Sequence, residues 1–293
     1  VNLVNAQNAT FIDSVGFGTI TDNDPPVNIA VNDVSINEGN SGTTAATFTI
    51  WLSKRSGQTI TATYYTSNGT ASTPLDYGAT SGTLVFNPGD STKDVIVYLN
   101  GDLTNEIDEN YYFSLGTVTN ANKSDSLGVG TILNDDPVPL ITINDTSVTE
   151  GNIWTQNSIF TVRLSRASGQ TITMNYASAN GAANSGDYNA NSGTLTFNPG
   201  DTMKTITVIV KGDVFYEADE NFYVNLTNVN STKGMFADSI GICTIVNNDP
   251  VPAFSITDVT QAETDAGTSN FIFTLRLTNP RDQIITVDYS TAN

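Results

Sequence analysis

The stretch "SGTLVFNPGDSTKDVIV", residues 81–97, contains two short runs rich in β-branched and aromatic residues on either side of Asn-Pro-Gly-Asp. Proline presets φ and glycine permits positive φ, so this tetrapeptide predicts a tight turn. The flanking runs are typical of β-strands. The same arrangement returns as "SGTLTFNPGDTMKTITV" at 192–208. A strand–turn–strand segment that occurs twice predicts a repeated β domain.

Other segments return in the same order around this pair. "GTITDNDPP" begins at residue 18, "GTILNDDPV" at 130 and "CTIVNNDPV" at 243, which gives spacings of 112 and 113 residues. The chain opens and closes in the middle of the pattern. The sequence therefore divides into the end of a repeat at 1–24, complete repeats at 27–136 and 139–249, and the beginning of a repeat at 252–293.

Each complete repeat predicts short strands joined by turns, and no stretch shows a sustained apolar period of 3.6 residues. About seven strands in about 110 residues are typical of a Greek-key sandwich of immunoglobulin-like size. We therefore expect an all-β chain of tandem sandwiches arranged head to tail. For the first repeat, the predicted strands are A at 28–36, B at 45–53, C at 59–66, D at 82–87, E at 93–100, F at 110–116 and G at 127–133.

Composition narrows the classes of function. The 293 residues include 30 acidic side chains and 11 Lys or Arg, for a net charge of −19. This balance argues against nucleic acid and anionic membrane surfaces as partners. It permits cation binding, although acidity also serves solubility alone. No apolar run of about 20 residues is present, so we expect no membrane insertion.

The chain lacks groups that enzymes commonly use. It contains no histidine, which excludes histidine-based acid–base catalysis and histidine metal sites. Its one cysteine, Cys243, lies in the apolar run "IGICTIV" and is predicted to be buried. Glu106 and Glu109 would resemble a glycosidase carboxylate pair, but they lie among many acids and no aromatic sugar-binding cleft is evident. We therefore predict no catalytic residue and no enzyme.

The predicted topology gathers the acidic residues at one pole. Strands that alternate in direction place the A–B, C–D and E–F connections, and the end of strand G, at the same end of a sandwich. In the first repeat these segments contain Glu38, Asp76, Asp102, Glu106, Asp108, Glu109, Asp135 and Asp136. In the second repeat they contain Glu150, Asp187, Asp213, Glu217, Glu220 and Asp249. Most cations are predicted at the opposite poles: Lys54, Arg55, Lys93 and Lys123, then Arg166, Lys204 and Lys233, with Lys211 as an exception.

Such a pole requires protonation, separation of the loops into water, or a bound cation. Two like charges about 4 Å apart repel by roughly 4 kcal/mol at an effective dielectric constant near 20. Loop carboxylates from several segments suit Ca²⁺, which takes about 6–8 oxygen ligands in flexible geometry. Mg²⁺ fits less well because it prefers octahedral sites and retains water. Zinc is not expected without His or Cys ligands.

Five motifs follow one another in the first repeat: "NEG", "NGTA…DY", "GTLVFNPGD", "GD…NEIDENYYFSL" and "GTILNDDP". Together they resemble the Calx-β domain, a module of sodium/calcium exchangers, of an integrin β cytoplasmic segment and of many large bacterial surface proteins. The resemblance implies an immunoglobulin-like sandwich with Ca²⁺ at its C-terminal pole. It implies as ligands Glu38, Asp76, Asp102, Glu106, Glu109, Asp135 and Asp136 in the first repeat, and Glu150, Asp187, Asp213, Glu217, Glu220 and Asp249 in the second. Further candidate oxygen donors are Asp22, Asp24, the Thr104 carbonyl, Asn134, Asn247, Asn248 and Glu263.

The chain departs from the exchanger pattern at several acidic positions. Gly101 and Gly212 stand where the best-known exchanger module has an acid, as do Asn134 and Asn247, and Asn248 replaces the acid equivalent to Asp135. We therefore expect the second repeat to bind Ca²⁺ more weakly than the first. The segment "DNDPP" at 22–26 also suggests a cadherin linker. However, the Asp-Arg-Glu pattern expected in the middle of a cadherin domain is missing.

The linkers suggest what bound calcium would do. Pro137 and Pro139 make the connection between the repeats short and stiff. The near end of the next repeat contains Arg166, Lys204 and Lys233, so we expect junctions tied by Ca²⁺ and by charge complementarity. Of the two tryptophans, Trp51 is expected in the core and Trp154 is a candidate contact surface.

The function favoured by these observations is a calcium-rigidified structural or adhesive repeat segment. It would belong to a large secreted bacterial cell-surface protein, involved in attachment or gliding and located outside the cell. Expected partners are neighbouring repeats, extracellular ligands bound through other domains, and secretion machinery. The alternative is a calcium-sensing regulatory module of a membrane protein such as an exchanger.

Overall fold

The computed structural model describes residues 1–21, 23–281 and 283–292, and all regular secondary structure among them is β. The predicted all-β class is therefore confirmed. Nothing in this described part of the chain is a helix with the length and hydropathy needed to cross a bilayer.

Each complete repeat contains nine strand segments instead of the expected seven or so. In the first they are β1 Asn28–Val31, β2 Val34–Asn37, β3 Gly42–Leu52, β4 Ile60–Asn68, β5 Ser81–Phe86, β6 Thr92–Gly101, β7 Glu109–Thr119, β8 Asn122–Lys123 and β9 Leu127–Leu133. In the second they are β10 Leu140–Ile143, β11 Thr146–Thr149, β12 Gln156–Leu164, β13 Ile172–Asn180, β14 Ser192–Phe197, β15 Met203–Val210, β16 Glu220–Thr227, β17 Met235–Phe236 and β18 Ile240–Val246. The increase arises because strand A is divided in two and the F–G connection adds a two-residue strand.

The strands of each repeat form two sheets around one core. In the first repeat the sheet orders are β6-β3-β1-β8 and β2-β9-β7-β4-β5. In the second they are β15-β12-β10-β17 and β11-β18-β16-β13-β14. The same order of equivalent strands in both repeats confirms the tandem sandwich.

Strand A divides because it passes from one sheet to the other. In the first repeat, Asn32 Oδ1 accepts a hydrogen bond from Thr49 N at 2.6 Å, and Asp33 Oδ1 accepts one from Val129 N at 2.7 Å. These two side chains replace the ladder bonds that the backbone loses between the sheets. The second repeat uses Asn144 and Asp145 in the same way.

Alternating side chains fill the cores. Phe48 in β3 stacks on Phe113 in β7 with ring centroids 4.8 Å apart, and in the second repeat Tyr188 stacks on Phe222 at 4.3 Å. The expectation that Trp51 is a core residue is wrong, because its side chain is 39% exposed between buried Ile50 and Leu52. Successive side chains of a strand point to opposite faces, so only one face of β3 lines the core.

The described residues divide into two compact units. The first contains residues of Val1–Ile36, Thr43–Asn100 and Glu109–Ile132. The second contains Asn37–Gly42, Gly101–Asp108 and the chain from Leu133 onward. The second unit thus includes loops of the first repeat together with the whole second repeat.

The terminal segments have little regular structure. Asn2 and Val15 form an isolated bridge within residues 1–21. Near the C-terminus, β19 (Phe254–Ile256) pairs antiparallel with β20 (Leu275–Leu277). This pairing has the same register as β10 with β12, which is consistent with the start of a further repeat.

Candidate metal centre

Two glycines position the first acidic residue of each pole. Gly39 follows Glu38 with a φ of 85°, and Gly151 follows Glu150 with a φ of 80°. This left-handed region favours glycine. Gly101 and Gly212 then pass so close that a Cβ on either would overlap the carbonyl oxygen of Gly39 or Gly151. A side chain at either position would therefore require the neighbouring backbone to move.

In the first repeat, Glu38 lies buried among other carboxylates. Its side chain is 6% exposed. Burial is the main reason that the pKa of Glu38 rises from 4.5 to about 7. Four neighbouring charges raise it further, in the order Asp102, Glu106, Asp136 and Asp135. The structure thus brings together five of the expected ligands.

Asp135 and Asp136 are held against the A–B loop. Asp135 Oδ1 accepts a hydrogen bond from Gly39 N at 3.2 Å, and Asp136 Oδ1 accepts one from Asn40 Nδ2 at 2.8 Å. The second carboxylate oxygen of Asp136, Oδ2, is buried with no hydrogen-bond partner in the protein. A buried unpaired oxygen of this kind is costly unless a ligand satisfies it.

The second repeat reproduces this arrangement around Glu150. Glu150 is 4% exposed, and one oxygen each of Glu150, Asp213 and Glu217 lie within 4.8 Å of one another. The pKa of Glu150 rises from 4.5 to about 7, mainly through burial and then through the charges of Asp213, Glu217 and Asp249. A backbone hydrogen bond at Asn248 lowers this pKa and so offsets part of the increase.

Asp249 is the counterpart of Asp136. Its Oδ1 accepts a hydrogen bond from Asn152 Nδ2 at 2.6 Å. Burial and the charge of Asp213 raise the pKa of Asp249 above its usual value of 3.8. Both Glu150 Oε1 and Asp249 Oδ2 are buried without a hydrogen-bond partner in the protein.

A second group of oxygens adjoins the first. Oxygens of Asp187, Glu217 and Glu220 also lie within 4.8 Å of one another, so Glu217 belongs to both groups. The equivalent sequence positions in the first repeat are Asp76, Glu106 and Glu109. Asp76 Oδ2 accepts hydrogen bonds from Ser72 N and Oγ, and Glu109 is the first residue of β7.

The asparagines among the candidate donors hold the loops together. Asn134 Oδ1 accepts a hydrogen bond from Glu106 N, and its Nδ2 donates to Asp136 O. Asn247 contacts the N and O atoms of Asp249 in a similar way. Their amides therefore shape the turn after the last strand.

Two further candidates differ in their surroundings. Asn248 Nδ2 donates a hydrogen bond to Asn152 Oδ1 at 3.3 Å, whereas its counterpart Asp135 is a carboxylate in the first cluster. Thr104 donates its backbone N–H to Asp102 Oδ1. The second pole thus has one acid fewer at the end of strand G.

The remaining candidates lie away from these clusters. Asp24 lines a cavity of about 280 Å³ together with Lys54 and Arg55. Glu263 is exposed in the segment between β19 and β20. Asp22 lies outside the described residues.

The donor set fits calcium. Each pole presents carboxylate oxygens from the A–B loop, the E–F loop and the end of strand G, and it includes buried oxygens without hydrogen bonds. Ca²⁺ accepts such oxygen ligands in irregular geometry. The acids around the first buried glutamate that would hold it are Glu38, Asp102, Glu106, Asp135 and Asp136, and those around the second are Glu150, Asp213, Glu217 and Asp249. Asp187 and Glu220 extend the second set through Glu217.

Sequence reasoning missed the amides that orient these carboxylates. Asn40 and Asn152 clamp Asp136 and Asp249, and each belongs to a Glu-Gly-Asn triplet that occurs in both repeats. The repetition of the third residue was the available signal. The buried Cys243 was predicted correctly, and Ser158 Oγ lies 3.2 Å from its sulfur.

The first pole also contacts the second repeat, within one compact unit. Asn105 O accepts hydrogen bonds from Gly169 N at 3.1 Å and Ser168 Oγ at 3.0 Å. Asn105 Nδ2 donates to Asp136 O at 2.9 Å, and Asn105 Oδ1 accepts a bond from Gln170 Nε2 at 3.3 Å. Neutral polar groups therefore join the acidic loop to the next repeat.

Two of the three cations expected to complement the acidic pole have contacts within the second repeat. Lys204 forms an ion pair with Asp201 at 2.7 Å, three residues away. Lys233 Nζ donates to Thr171 O at 3.5 Å. Both of these contacts lie within the second repeat, so charge complementarity at the junction stays a prediction.

Comparison with protein families gives two matches to the Calx-beta domain, at residues 21–146 and 134–250. Curated relatives include sodium/calcium exchanger 2 of Mus musculus, 30% identical over 182 residues, or 56% of this chain and 20% of the exchanger. Sodium/calcium exchanger 1 of Canis lupus familiaris is 28% identical over 239 residues, or 70% of this chain and 24% of the exchanger. The chain thus spans about a fifth to a quarter of these relatives.

Solved structures similar to the chain include the calcium binding domain CBD12 of CALX1.1, with 18% identity and a TM-score of 0.36. It covers 74% of this chain and 99% of that chain. The apo-form Calx CBD1 domain shows 22% identity and a TM-score of 0.33, over 38% of this chain and 99% of that chain.

Proposed function

The chain belongs to the Calx-beta domain family, and from this premise we propose that it is a calcium-rigidified structural or adhesive repeat segment of a large secreted bacterial cell-surface protein. One observation carries the proposal. Asn105 is hydrogen-bonded both to the backbone oxygen of Asp136, a candidate ligand, and to Ser168 and Gln170 of the next repeat.

Calcium would stiffen the junction through this asparagine. An ion bound at Asp136 Oδ2 would hold the turn that presents Asp136 O to Asn105. Asn105 is only 5% exposed, and Ser168 is 2% exposed. Without the ion, repulsion among the carboxylates would loosen the E–F loop that contains Asn105, and the contact with the second repeat would weaken.

The charge of the chain supports the proposed location. The excess of 30 acidic over 11 basic side chains suits an extracellular stalk, where calcium is abundant and weak sites stay filled. The partners of this segment are neighbouring repeats. Other domains of the parent protein would bind extracellular ligands, and secretion machinery would export it.

Small-angle X-ray scattering of the full chain tests the rigidity. We expect the pair-distance distribution to broaden when EGTA removes calcium, and to narrow again when calcium is restored in excess. Mg²⁺ at the same concentration is the matched control for ionic strength. Identical profiles with and without calcium would show that the ion does not stiffen the chain.

The similarity to sodium/calcium exchangers supports a second candidate, a calcium-sensing regulatory module of a membrane protein. The two functions require different affinities. Sensors have dissociation constants of about 10⁻⁷–10⁻⁵ M, whereas extracellular modules have about 10⁻⁴–10⁻³ M. Calorimetric titration of the full chain separates them, since a micromolar or tighter site would favour the regulatory module.

The two poles are expected to differ in affinity. Glu38 has four acidic neighbours that raise its pKa, whereas Glu150 has three. We therefore expect the second repeat to bind calcium more weakly. Titrating Asp136→Asn and Asp249→Asn variants of the full chain isolates each site, and equal or reversed affinities would contradict this order.

A further inference from the structure

Two junctions in the second compact unit share one backbone contact but use different side chains. Asn105 forms a parallel bridge with Ser168, and Tyr216 forms a parallel bridge with Arg281. Asn105 and Tyr216 each precede a glutamate of an E–F loop, Glu106 or Glu217. The same loop of successive repeats therefore contacts the B–C turn of the repeat that follows.

The first junction depends on hydrogen bonds between small polar side chains. Ser168 Oγ donates to Asn105 O and accepts a bond from Gln170 N at 3.1 Å. Gln170 Nε2 donates to Asn105 Oδ1 and to Glu106 O, each at 3.3 Å. A Cβ on Gly169 would lie 2.5 Å from Glu106 Oε1, so the absence of a side chain allows the acidic loop to approach.

The second junction depends on an aromatic ring and a cation. The guanidinium carbon of Arg281 lies 5.2 Å from the centre of the Tyr216 ring. Such an arrangement is a cation–π contact. Tyr216 N donates to Pro280 O at 3.3 Å. Asp249 O accepts a hydrogen bond from Asn247 Nδ2, as Asp136 O does from Asn134 Nδ2.

We propose that these two positions form a matching code that decides which repeat can follow which. An asparagine before the glutamate requires serine in the next B–C turn, and a tyrosine requires arginine. A tyrosine at position 105 would not fit the enclosed space that Asn105 occupies, and an arginine at 168 would bury a charge opposite an amide. The code rests on the proposed calcium-tied junction. It adds that the residue pair at each junction selects the repeat that follows.

A third B–C turn, at Ser56, has the same internal hydrogen bonds as the turn at Ser168. Gln58 N donates to Ser56 Oγ at 2.9 Å and Gly89 N to Ser56 O at 3.0 Å, as Gln170 N and Gly200 N do with Ser168. This turn lines the cavity that also contains Lys54 and Arg55. The code assigns to that cavity an acidic loop with asparagine before its glutamate.

Amide hydrogen exchange measured by NMR in saturating calcium tests the code in the full chain. Gly169 N donates to Asn105 O, and Tyr216 N donates to Pro280 O, so each amide reports one junction. Asn105→Tyr alone and Ser168→Arg alone should each lower the protection factor of the Gly169 amide at least tenfold. Combined, they should restore most of it. The Tyr216 amide is the internal control and should not change.

The code would be overturned if the combined variant did not recover the protection factor of the Gly169 amide, or if neither single variant lowered it. If the single variants do not fold, Tyr216→Asn and Arg281→Ser make the reciprocal test, read at the amide of position 216, with the pair expected to recover. Calcium removal in the unmodified chain separates this result from the proposed function. If EGTA does not change the protection factor of the Gly169 amide, calcium does not tie the junction and the proposed function fails. If this protection factor depends on calcium but the combined variant does not recover it, only the code fails.

Discussion

Neutralising Glu150 should have opposite effects on stability with and without calcium. Burial and neighbouring carboxylates raise the pKa of Glu150 from 4.5 to about 7. At about 1.4 kcal/mol per pKa unit, ionised Glu150 costs the calcium-free fold about 3 kcal/mol above pH 7. Glu150→Gln removes this cost and keeps an oxygen that can accept the backbone hydrogen bond. In calcium the same substitution removes a ligand and should destabilise the repeat.

Differential scanning calorimetry at pH 8 measures both effects. For a domain of about 100 residues, 3 kcal/mol corresponds to a shift in Tm on the order of 10 °C. In EGTA we expect the second-repeat transition of Glu150→Gln to rise by about this amount relative to the unmodified chain. In millimolar calcium it should fall. Asp265→Asn, a neutralisation at an exposed position, is the control for net charge and should change neither transition.

A decrease in Tm under both conditions would refute the reasoning, because it would mean that Glu150 is stabilising without any ion. An unchanged Tm of Glu150→Gln in EGTA would equally refute it, because it would show that ionised Glu150 does not destabilise the calcium-free fold.

Further outcomes follow from the same pole. In EGTA, the free energy of unfolding should fall as the pH rises from about 4.5 to 7 and then level off. The reason is that the folded-state pKa values of Glu38 and Glu150 are about 7, above the ordinary 4.5, so the fold favours the protonated forms. Calcium should reverse this slope, since it binds ionised carboxylates, and urea titrations across pH measure both. Gly101→Ala should lower the Tm and the calcium affinity of the first repeat, because its methyl group overlaps Gly39 O, whereas Gly57→Ala, with nothing within 4 Å, should leave the calcium affinity unchanged. A calorimetric titration of both variants checks this, and equal affinities would count against the steric argument.

The repeat, the β class and the pole that collects acids all follow from local sequence chemistry. Turn residues such as Pro88 and Gly89, and the alternation of apolar side chains, specify strands without reference to distant residues. Alternating strand direction then requires Glu38 and Glu106 to share one end of a sandwich. These predictions needed only the order of the strands.

Tertiary structure decided what depends on exact distances between segments remote in sequence. Strand A divides where Asn32 and Asp33 accept hydrogen bonds from strands of two different sheets. Trp51 faces outward because only one face of the pleated strand β3 lines the core. The junction includes a hydrogen bond between Asn105 and Ser168, whereas Lys204 forms its ion pair with Asp201. Periodicity and charge count describe which groups a segment contains, but only packing determines which of them meet.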